Sequence, residues 1–549
     1  MLKPEKNHAI PEQTQQVAQA AFPNGNIYMR IRDEVGRVYE DDELAELYPG
    51  KGQPAINPWR LALVTVMQFV ENLSDRQAAD AVRGRIDWKY ALGLELDDAG
   101  FDFSVLSEFR LRLIEGGKES VLLEKLLERL ESSGLLKGKH TQRTDATHVL
   151  AKIRRMNRLE MVGETVRRVL NDMAIVAPEW LRGHLQPQWV ERYGRRFDAY
   201  RMPKSKDKQQ VLAKEIGKDG YEIMKAAYAE NAPVDVQDLT SLEILRRIWV
   251  QQYCLVEGEV HWRTKKQWGH PPSNQMIASP DELDARYGGK RSMYWTGYKV
   301  HLTETCEEGH PHLITHVETT PATTNDVNVT EKIQADLAEK DHIPKRHLVD
   351  GGYVDLEILL HSQDKGIDLI GPIAKDRSWQ AKLKDGFDHT KFQIDWQNRR
   401  ATCPQGKQSM ACTNGHTRSG NPNVHFHFSI QDCELCQARA RCTRAEKAGR
   451  QLCVFPLEQY QRLQEARQRQ ETDEFKLLYQ ARAGIEGTVS QAVNSLGVRY
   501  ARYQGLAKTH LQNLATSAAI NFTRVSDWLS GNRPETTRIS PFVKLALQS

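Results

Sequence analysis

No run of this chain is apolar for long enough to span a bilayer, and the amino-terminal MLKPEKNHAIPEQ lacks the apolar centre of a secretory signal. Both absences argue against a membrane-embedded or exported protein, and a cytoplasmic one is expected. An excess of one charge is also missing: 76 Lys and Arg face 72 Asp and Glu, a net charge of +4. Bulk charge therefore makes no case for nucleic acid, although local basic clusters can. Cysteine is sparse, with eight in 549 residues. Without an export signal, that number fits reduced thiols or a metal site better than a disulfide framework. No internal repeat is found, and the length argues for two to four domains.

What is present is a set of distant acids in chemically suggestive settings. In RHLVDGGYVD an apolar strand-like run ends on Asp350 and breaks at once into two glycines. A strand that delivers one acid at its carboxyl end is where α/β folds put chemistry. Asp145 in TQRTDATHVLA ends a second β-type segment. Glu486 lies in YQARAGIEGTVSQAV, where Tyr479, Arg482 and Glu486 fall at spacings of three and four and share one helical face. Two strand aspartates and one helix glutamate make an all-oxygen cage for a hard divalent cation, Mg²⁺ or Mn²⁺. A pair of such ions can clamp the attacking and leaving oxygens of a phosphoryl displacement. Taken singly, Asp145 capping a turn, Asp350 opening a glycine turn and Glu486 pairing with Arg482 are equally good readings; the joint occurrence decides.

The sequence resembles bacterial insertion-sequence transposases of the DDE class. The residues that carry the resemblance are DAT at Asp145, GYKVH at Gly297 to His301, LVDGGY around Asp350, and Tyr479, Arg482 and Glu486 in the family's Y-(2)-R-(3)-E order. PWRLALVTVMQFVENLSDRQAADAV is similar to the helical domain that precedes catalysis in this group. The resemblance implies an α/β fold: an RNase H-like mixed-sheet catalytic domain with a helical amino-terminal domain, a helical insertion and a cysteine-containing insertion. It further implies Asp145, Asp350 and Glu486 as metal-binding catalytic residues, cleavage at element ends, transfer of a 3′-hydroxyl into target DNA, and a homodimer or larger synaptic complex on the terminal inverted repeats. Arg482 would neutralise charge near the scissile phosphate or orient Glu486, and Tyr479 would pack on the DNA backbone. Where many relatives carry a lysine seven positions past the glutamate, Val493 stands here; Arg499, Arg502 or Lys508 would supply that phosphate contact. The competing readings are an RNase H-like nuclease that cuts without joining, and a catalytically inactive DNA-binding protein.

Along the chain, residues 1 to about 55 are polar and turn-rich, so the first packed element is expected after Pro58. Proline suits the first turn of a helix over LALVTVMQFVENL, Ser74 caps DRQAADAVRGR, and a third helix runs from Ser104 to Gly116. The set reads as a helix-turn-helix with Arg76, Arg83 or Arg85 reading bases, or as a plain bundle with solvated arginines. AKIRRMNRLEMVGETVRRVLNDMA, with Arg154, Arg155, Arg158, Arg167 and Arg168, opens helical patterns reaching about residue 260. Its arginines either follow a phosphate backbone or pair with Glu160 and Glu164, while Trp180, Trp189, Trp249 and Trp262 read as core.

SPDELDARYGGKRSMYWTG reads as a loop, followed by two strands in WTGYKVHLTET and HLITHVETT and a crossing helix capped near Asn325 or Asp326. Asp326 is either that cap or a fourth carboxylate. LEILLHSQDKG reads as a helix ending at Gly366, and IDLIGPI as a buried strand. Cys433 and Cys436 form a CxxC, with Cys442 six positions on and Cys403 opening a Cys-Pro-Gln-Gly turn, a spacing that suits structural zinc. The alternative is free buried thiols, and Cys403 stands ahead of Cys412, Cys453 and His427 as fourth ligand. Between Tyr479 and Lys508 four basic residues face one acidic. The last helix is expected to pack back through Leu511, Leu514 and Ile520. The expected division is 1–136 helical and DNA-binding; 137–152, 261–374 and 476–528 catalytic; 153–260 helical insertion; 375–475 cysteine-containing insertion; and 529–549 a poorly ordered tail.

Overall fold

The structure, a computed structural model, describes every residue except 3, 5–8, 138, 155, 199, 201, 265, 291, 418–419, 534–544 and 546–549. Most of the expected tail, and Arg155 of the arginine run, lie outside the described residues. No helix among the described residues is long and apolar enough to cross a membrane.

Seven helices open the chain: α1 (Glu12–Ala21), α2 (Ile27–Glu34), α3 (Pro58–Val70), α4 (Asp75–Gly84), α5 (Ile86–Leu92), α6 (Ser104–Glu115) and α7 (Val121–Ser132). Pro58 sits in the first turn of α3, where its missing N–H costs nothing. Ser74 caps α4 in a reciprocal box with Gln77. Packing does not wait for Pro58, however. Asn26 accepts the N–H groups of Tyr28 and Met29, and α2 buries Tyr28, Met29 and Ile31. The cap, not apolar density, was the signal in that polar stretch.

The strand β1 (Thr141–Leu150) leads into α8 (Arg158–Val176), α9 (Pro178–His184), α10 (Pro187–Tyr193), α11 (Lys206–Ala227), α12 (Val234–Gln237) and α13 (Thr240–Gln252). These close over a core of their own that includes Val169, Met173, Ile216, Leu242 and Ile248. Trp189 and Trp249 are buried in that core and Trp180 and Trp262 pack against it. The helical pattern does not run to residue 260: β2 (Tyr253–Val256) and β3 (Glu259–Trp262) form a hairpin, because Tyr253 and Val260 alternate into the core.

The main sheet resumes with β4 (Arg286–Lys290), β5 (Met293–Thr305) and β6 (Ile314–Pro321), then α14 (Val327–Glu339), β7 (Arg346–Val349), α15 (Leu356–Asp364) and β8 (Asp368–Ile370). The stretch read as a loop thus forms β4 and the start of β5; the rings of Tyr287 and Tyr294 stack 5.8 Å apart across that hairpin. In the sheet β1 lies between β5, antiparallel, and β7, parallel; β6 pairs antiparallel with β5, and β8 lies parallel on the far side of β7.

After β8 come α16 (Trp379–Lys382), β9 (Gln393–Asp395), β10 (Arg400–Thr402), β11 (Ala411–His416), β12 (Pro422–His427), α17 (Ile430–Glu434), α18 (Arg439–Cys442) and β13 (Gln451–Val454), a lobe of small sheets. The chain returns through α19 (Leu457–Arg469), α20 (Asp473–Gln480), α21 (Ile485–Asn494) and α22 (Leu506–Leu529). Arg469 pairs with Asp368 at 2.6 Å and tethers the return to β8.

Period-two alternation divides the main sheet into two faces. Val349 and Tyr353 meet Ile333 of α14 and Leu359 of α15 on one side. On the other, Val149, Tyr298, Val300 and Leu302 join α22 through Leu511, Leu514 and Ile520, and the same cluster continues into Trp59, Val64 and Phe109 of the amino-terminal helices. Those helices share one continuous core with the sheet. Asn521, buried in α22, accepts the Ile314 N–H at 2.7 Å and donates to the Ile314 carbonyl at 2.8 Å, locking helix to strand.

Candidate active site

The register brings the two aspartates together. Thr144 is the partner of Val349 in the parallel β1–β7 pair, so the next residues, Asp145 and Asp350, stand side by side where β7 ends. Adjacent strands are roughly 4.8 Å apart. Asp350 accepts the Gly352 N–H at 2.6 Å and Asp145 the Ala146 N–H at 2.8 Å, which fixes both carboxylates. A Cβ on Gly352 would stand 2.9 Å from Asp350 Oδ1 and 3.3 Å from Asp326 Oδ2, so a side chain there would push both carboxylates aside.

The third acid arrives on α21. Arg482 donates through Nη2 to Asp145 at 2.6 Å and through Nη1 to Glu486 at 3.3 Å, so one guanidinium spans β1 and the helix. Arg482 is 14% exposed and Glu486 69%, which leaves Glu486 free to reorient while the arginine holds its place. Tyr479 stacks on Phe475, their rings 6.0 Å apart, over Leu348 and Ile370 at the ends of β7 and β8.

The three residues of the Tyr-Arg-Glu pattern do not share one regular helix. Residues 481–484 form a 3₁₀ turn between α20 and α21. Arg143, on the same face of β1 as Asp145, donates to the Ala481 carbonyl at 2.6 Å and fills the space where a Cβ on Gly484 would be, 2.1 Å from its Nη1. Gly484→Ala is therefore expected to displace that guanidinium and lower the unfolding free energy by roughly 1.5–3 kcal/mol, the scale of a charged hydrogen bond, read by urea denaturation.

Arg143 belongs to a buried network that sequence reading missed. Its Nε donates to Glu304 Oε1 at 2.7 Å; Thr488 of α21 and Arg524 of α22 donate to Glu304 Oε2 at 2.5 and 2.7 Å. Burial pushes the Glu304 carboxyl upward, but Arg524, Arg143 and the Thr488 bond outweigh it and hold it below the ordinary range. The network seats α21, and with it Glu486, on the sheet. A Glu in a strand predicted to be apolar on that side was the available signal.

Asp326 makes no capping hydrogen bond on α14. It pairs with Lys299 at 2.8 Å instead, and Lys299 also donates to the Thr324 carbonyl at 2.7 Å. His301, two residues along the same strand face, contacts the Tyr353 hydroxyl at 2.7 Å, and burial pushes it down to about 4, so it is neutral at pH 7. The GYKVH motif therefore supports the floor of the acidic site through Lys299 and His301.

The two aspartates act on each other electrostatically. Burial raises the Asp145 carboxyl; Arg482 and the Ala146 N–H counter it, and the neighbouring Asp350 raises it further. The donors Asp145, Asp350 and Glu486 are all carboxylate oxygens, the set a hard divalent ion takes. They stand wider apart than the one group among the described residues whose ligand atoms already lie within 4.8 Å of one another, His316, Glu318 and Asp336. In that group the Lys332 ammonium bridges both carboxylates at 2.7 Å and takes the place of an ion.

The expected DNA-contact residues are dispersed. Arg76 lies over the Phe103 ring at 4.7 Å, Arg83 pairs with Asp80 at 3.1 Å, and Arg85 is tied to Glu71 and Asp87 at 2.5 and 2.6 Å. Arg499 contacts the His148 ring at 2.6 Å. Arg502 packs 4.3 Å over Phe69 and donates to the Leu73 carbonyl at 2.9 Å, binding the start of α22 to the α3–α4 turn. Lys508 is exposed on the first turn of α22, and Val493 packs on the core. Arg154, Arg158, Arg167 and Arg168 meet Glu160, Gln252, Glu164 and Asp281 respectively, so that arginine run is internally paired.

Among the cysteines, Cys403, Cys433, Cys436 and Cys442 line one cavity of about 340 Å³, whereas Cys412 and Cys453 lie on β11 and β13. His427 contacts Thr413 Oγ1 at 3.0 Å and belongs to neither group.

Residues 402–526 match the family model of a transposase DDE domain, and residues 16–112 match that of a transposase domain (DUF772). The first match contains Glu486 and the second spans most of the amino-terminal helices; Asp145 and Asp350 lie outside both. A search of curated proteins gave no match.

Proposed function

We propose, from the premise that this chain is an insertion-sequence transposase of the DDE class, that it cuts DNA at element ends and transfers the freed 3′-hydroxyl into a target strand. The observation that carries the reading is the bridge by which Arg482 joins Asp145 on β1 to Glu486 on α21 beside the Asp350 turn. The strand arrangement supports an RNase H-like reading of the catalytic domain, with three antiparallel strands, β6, β5 and β1, followed by two parallel ones, β7 and β8.

Asp145 and Asp350 would hold a divalent ion, Mg²⁺ or Mn²⁺, between the middle of β1 and the end of β7, with Glu486 turning in from α21. Bound there, such an ion supplies a lowered water pKa and charge neutralisation on the phosphate. Arg482 then has two tasks: it keeps Glu486 on the side of Asp145, and its charge faces a phosphodiester entering between them. Tyr479, held by Phe475, presents its ring beside the same opening. Lys290, whose charge reaches Asp145, adds a positive group on the β4–β5 side. Two ends must be cut and joined, so the reading includes a dimer or larger assembly.

The test is incubation of the protein with supercoiled plasmid carrying the element ends. Cleaved ends and joined products are expected only with Mg²⁺ or Mn²⁺. Cleavage without joining would favour a nuclease, and DNA binding with neither product would favour an inactive binding protein. The pH profile has a definite sign. Because the Asp145 carboxyl is raised by burial, protons compete with the ion above the ordinary carboxylate range, and activity falls as the pH drops through that raised value.

A further inference from the structure

The lobe between β8 and α19 has little apolar interior of its own: Phe392, Ala401, Phe426, Phe428, Cys442, Leu452 and Val454 make up its buried cluster. Into that weak core the fold brings four thiols from two separate turns. Cys403 opens a tight turn in which Gly406 donates to the Cys403 carbonyl and Cys403 to the Lys407 carbonyl, both at 2.8 Å. Cys433 ends the α17 side of a second turn, where Cys436 N–H reaches the Cys433 carbonyl at 3.4 Å, and Cys442 closes α18. All are free thiols.

We propose that Cys403, Cys433, Cys436 and Cys442 bind one structural zinc ion that fastens the two turns of this lobe together. Three features support it. The Arg450 N–H donates to Cys433 Sγ at 3.4 Å, the kind of backbone bond that stabilises a thiolate. The Arg450 side chain has a buried Nε without a hydrogen-bond partner, a cationic group facing sulfurs that are uncharged as free thiols. All four cysteines line the same cavity of about 340 Å³, so the separate segments present their thiols to one space.

As free thiols no three of them lie within 4.8 Å of one another, and a tetrahedral ion with Zn–S bonds of about 2.3 Å would draw them to separations of roughly 3.8 Å. The reaction is an exchange without redox change: Zn²⁺ forms four Zn–S bonds and up to four thiol protons leave to solvent. The resulting double negative charge gives Arg450 its counterpart. The geometry also assigns the fourth ligand to Cys403 over Cys412, Cys453 and His427.

Full-length protein purified with reductant and without chelator is expected to carry one zinc per chain by plasma mass spectrometry. Its native thiol-reagent titre should lie at least four below that of the denatured, chelated chain. Cys436→Ser is expected to lose at least nine-tenths of the metal and Cys453→Ser to retain it. If Cys436→Ser does not fold, the wild-type metal content and Cys453→Ser still decide. Metal-free wild type with all thiols reactive, iron in place of zinc, or full zinc in Cys436→Ser would each overturn the proposal. The metal count is independent of catalysis: Asp350→Ala should keep its zinc whatever becomes of its activity.

Discussion

Replacing Asp350 by alanine is expected to lower DNA end cleavage at least about a thousandfold, equivalent to about 4 kcal/mol of lost transition-state stabilisation. Asp350 follows β7 directly, and its fixed Oδ1 and its register beside Asp145 leave no other carboxylate to take its place next to Asp145. Asp326 lies nearby, but Lys299 neutralises it. The measurement is single-turnover cleavage of an end-containing duplex, with circular dichroism to verify folding. Full activity in Asp350→Ala would end the catalytic assignment. Asp350→Asn should be nearly as inactive, because an amide keeps the Gly352 bond but offers no anionic ligand.

The second large effect concerns stability. Glu304 is fully buried and shared by Arg143, Arg524 and Thr488. Glu304→Ala leaves two guanidinium groups facing each other without their anion, and the expected loss is about 3–5 kcal/mol. Denaturant unfolding should show it, with Glu304→Gln losing less because it can still accept hydrogen bonds. The pH dependence follows from the lowered carboxyl. A depressed acid contributes stability that is fully present above its unfolded value and is lost as the pH falls through its folded one. The gap between wild type and Glu304→Gln should therefore be widest near neutrality and narrow in strong acid. If the two variants unfold like wild type at pH 7, the network does not seat α21.

The three acids stood out because each sits in a local pattern with its own physical reason: an apolar strand stopped by glycine, a β-type segment carrying Asp-Ala-Thr, and spacings of three and four. Yet the segment does not end at Asp145, since β1 runs on to Leu150 and pairs Asp145 with Leu302, and a 3₁₀ turn breaks the helix between Tyr479 and Glu486. What brings them together was less legible. Register across β1 and β7 depends on strands separated by more than a third of the chain, and period-two alternation gives the face of each residue without naming its partner on so distant a strand. Nothing in the sequence around Gly484 announces that the Arg143 guanidinium lies against it. Asp326 looked like a cap because Asp precedes a helix, and only the neighbouring Lys299 reveals the ion pair. The arginines were the least readable: their charge is visible in sequence, but Arg499 and Arg502 have partners distant along the chain, at His148 and Leu73. Hairpin β2–β3 and strand β4 were hidden by their length, four and five residues, within stretches dominated by helix and glycine.

The interruption of the sheet after β1 has a consequence for biosynthesis. On the ribosome, β1 emerges with both edges bare, and its antiparallel partner β5 begins only at Met293. At roughly 5–20 residues per second that delay is on the order of ten seconds. The intervening helices have their own core and can collapse meanwhile, but Asp145 has no carboxylate beside it until β7 is made and no arginine until α20 has been passed. An incomplete nascent chain therefore lacks the assembled cluster of Asp145, Asp350 and Glu486, and its bare Thr141–Leu150 edge is open to mispairing during synthesis.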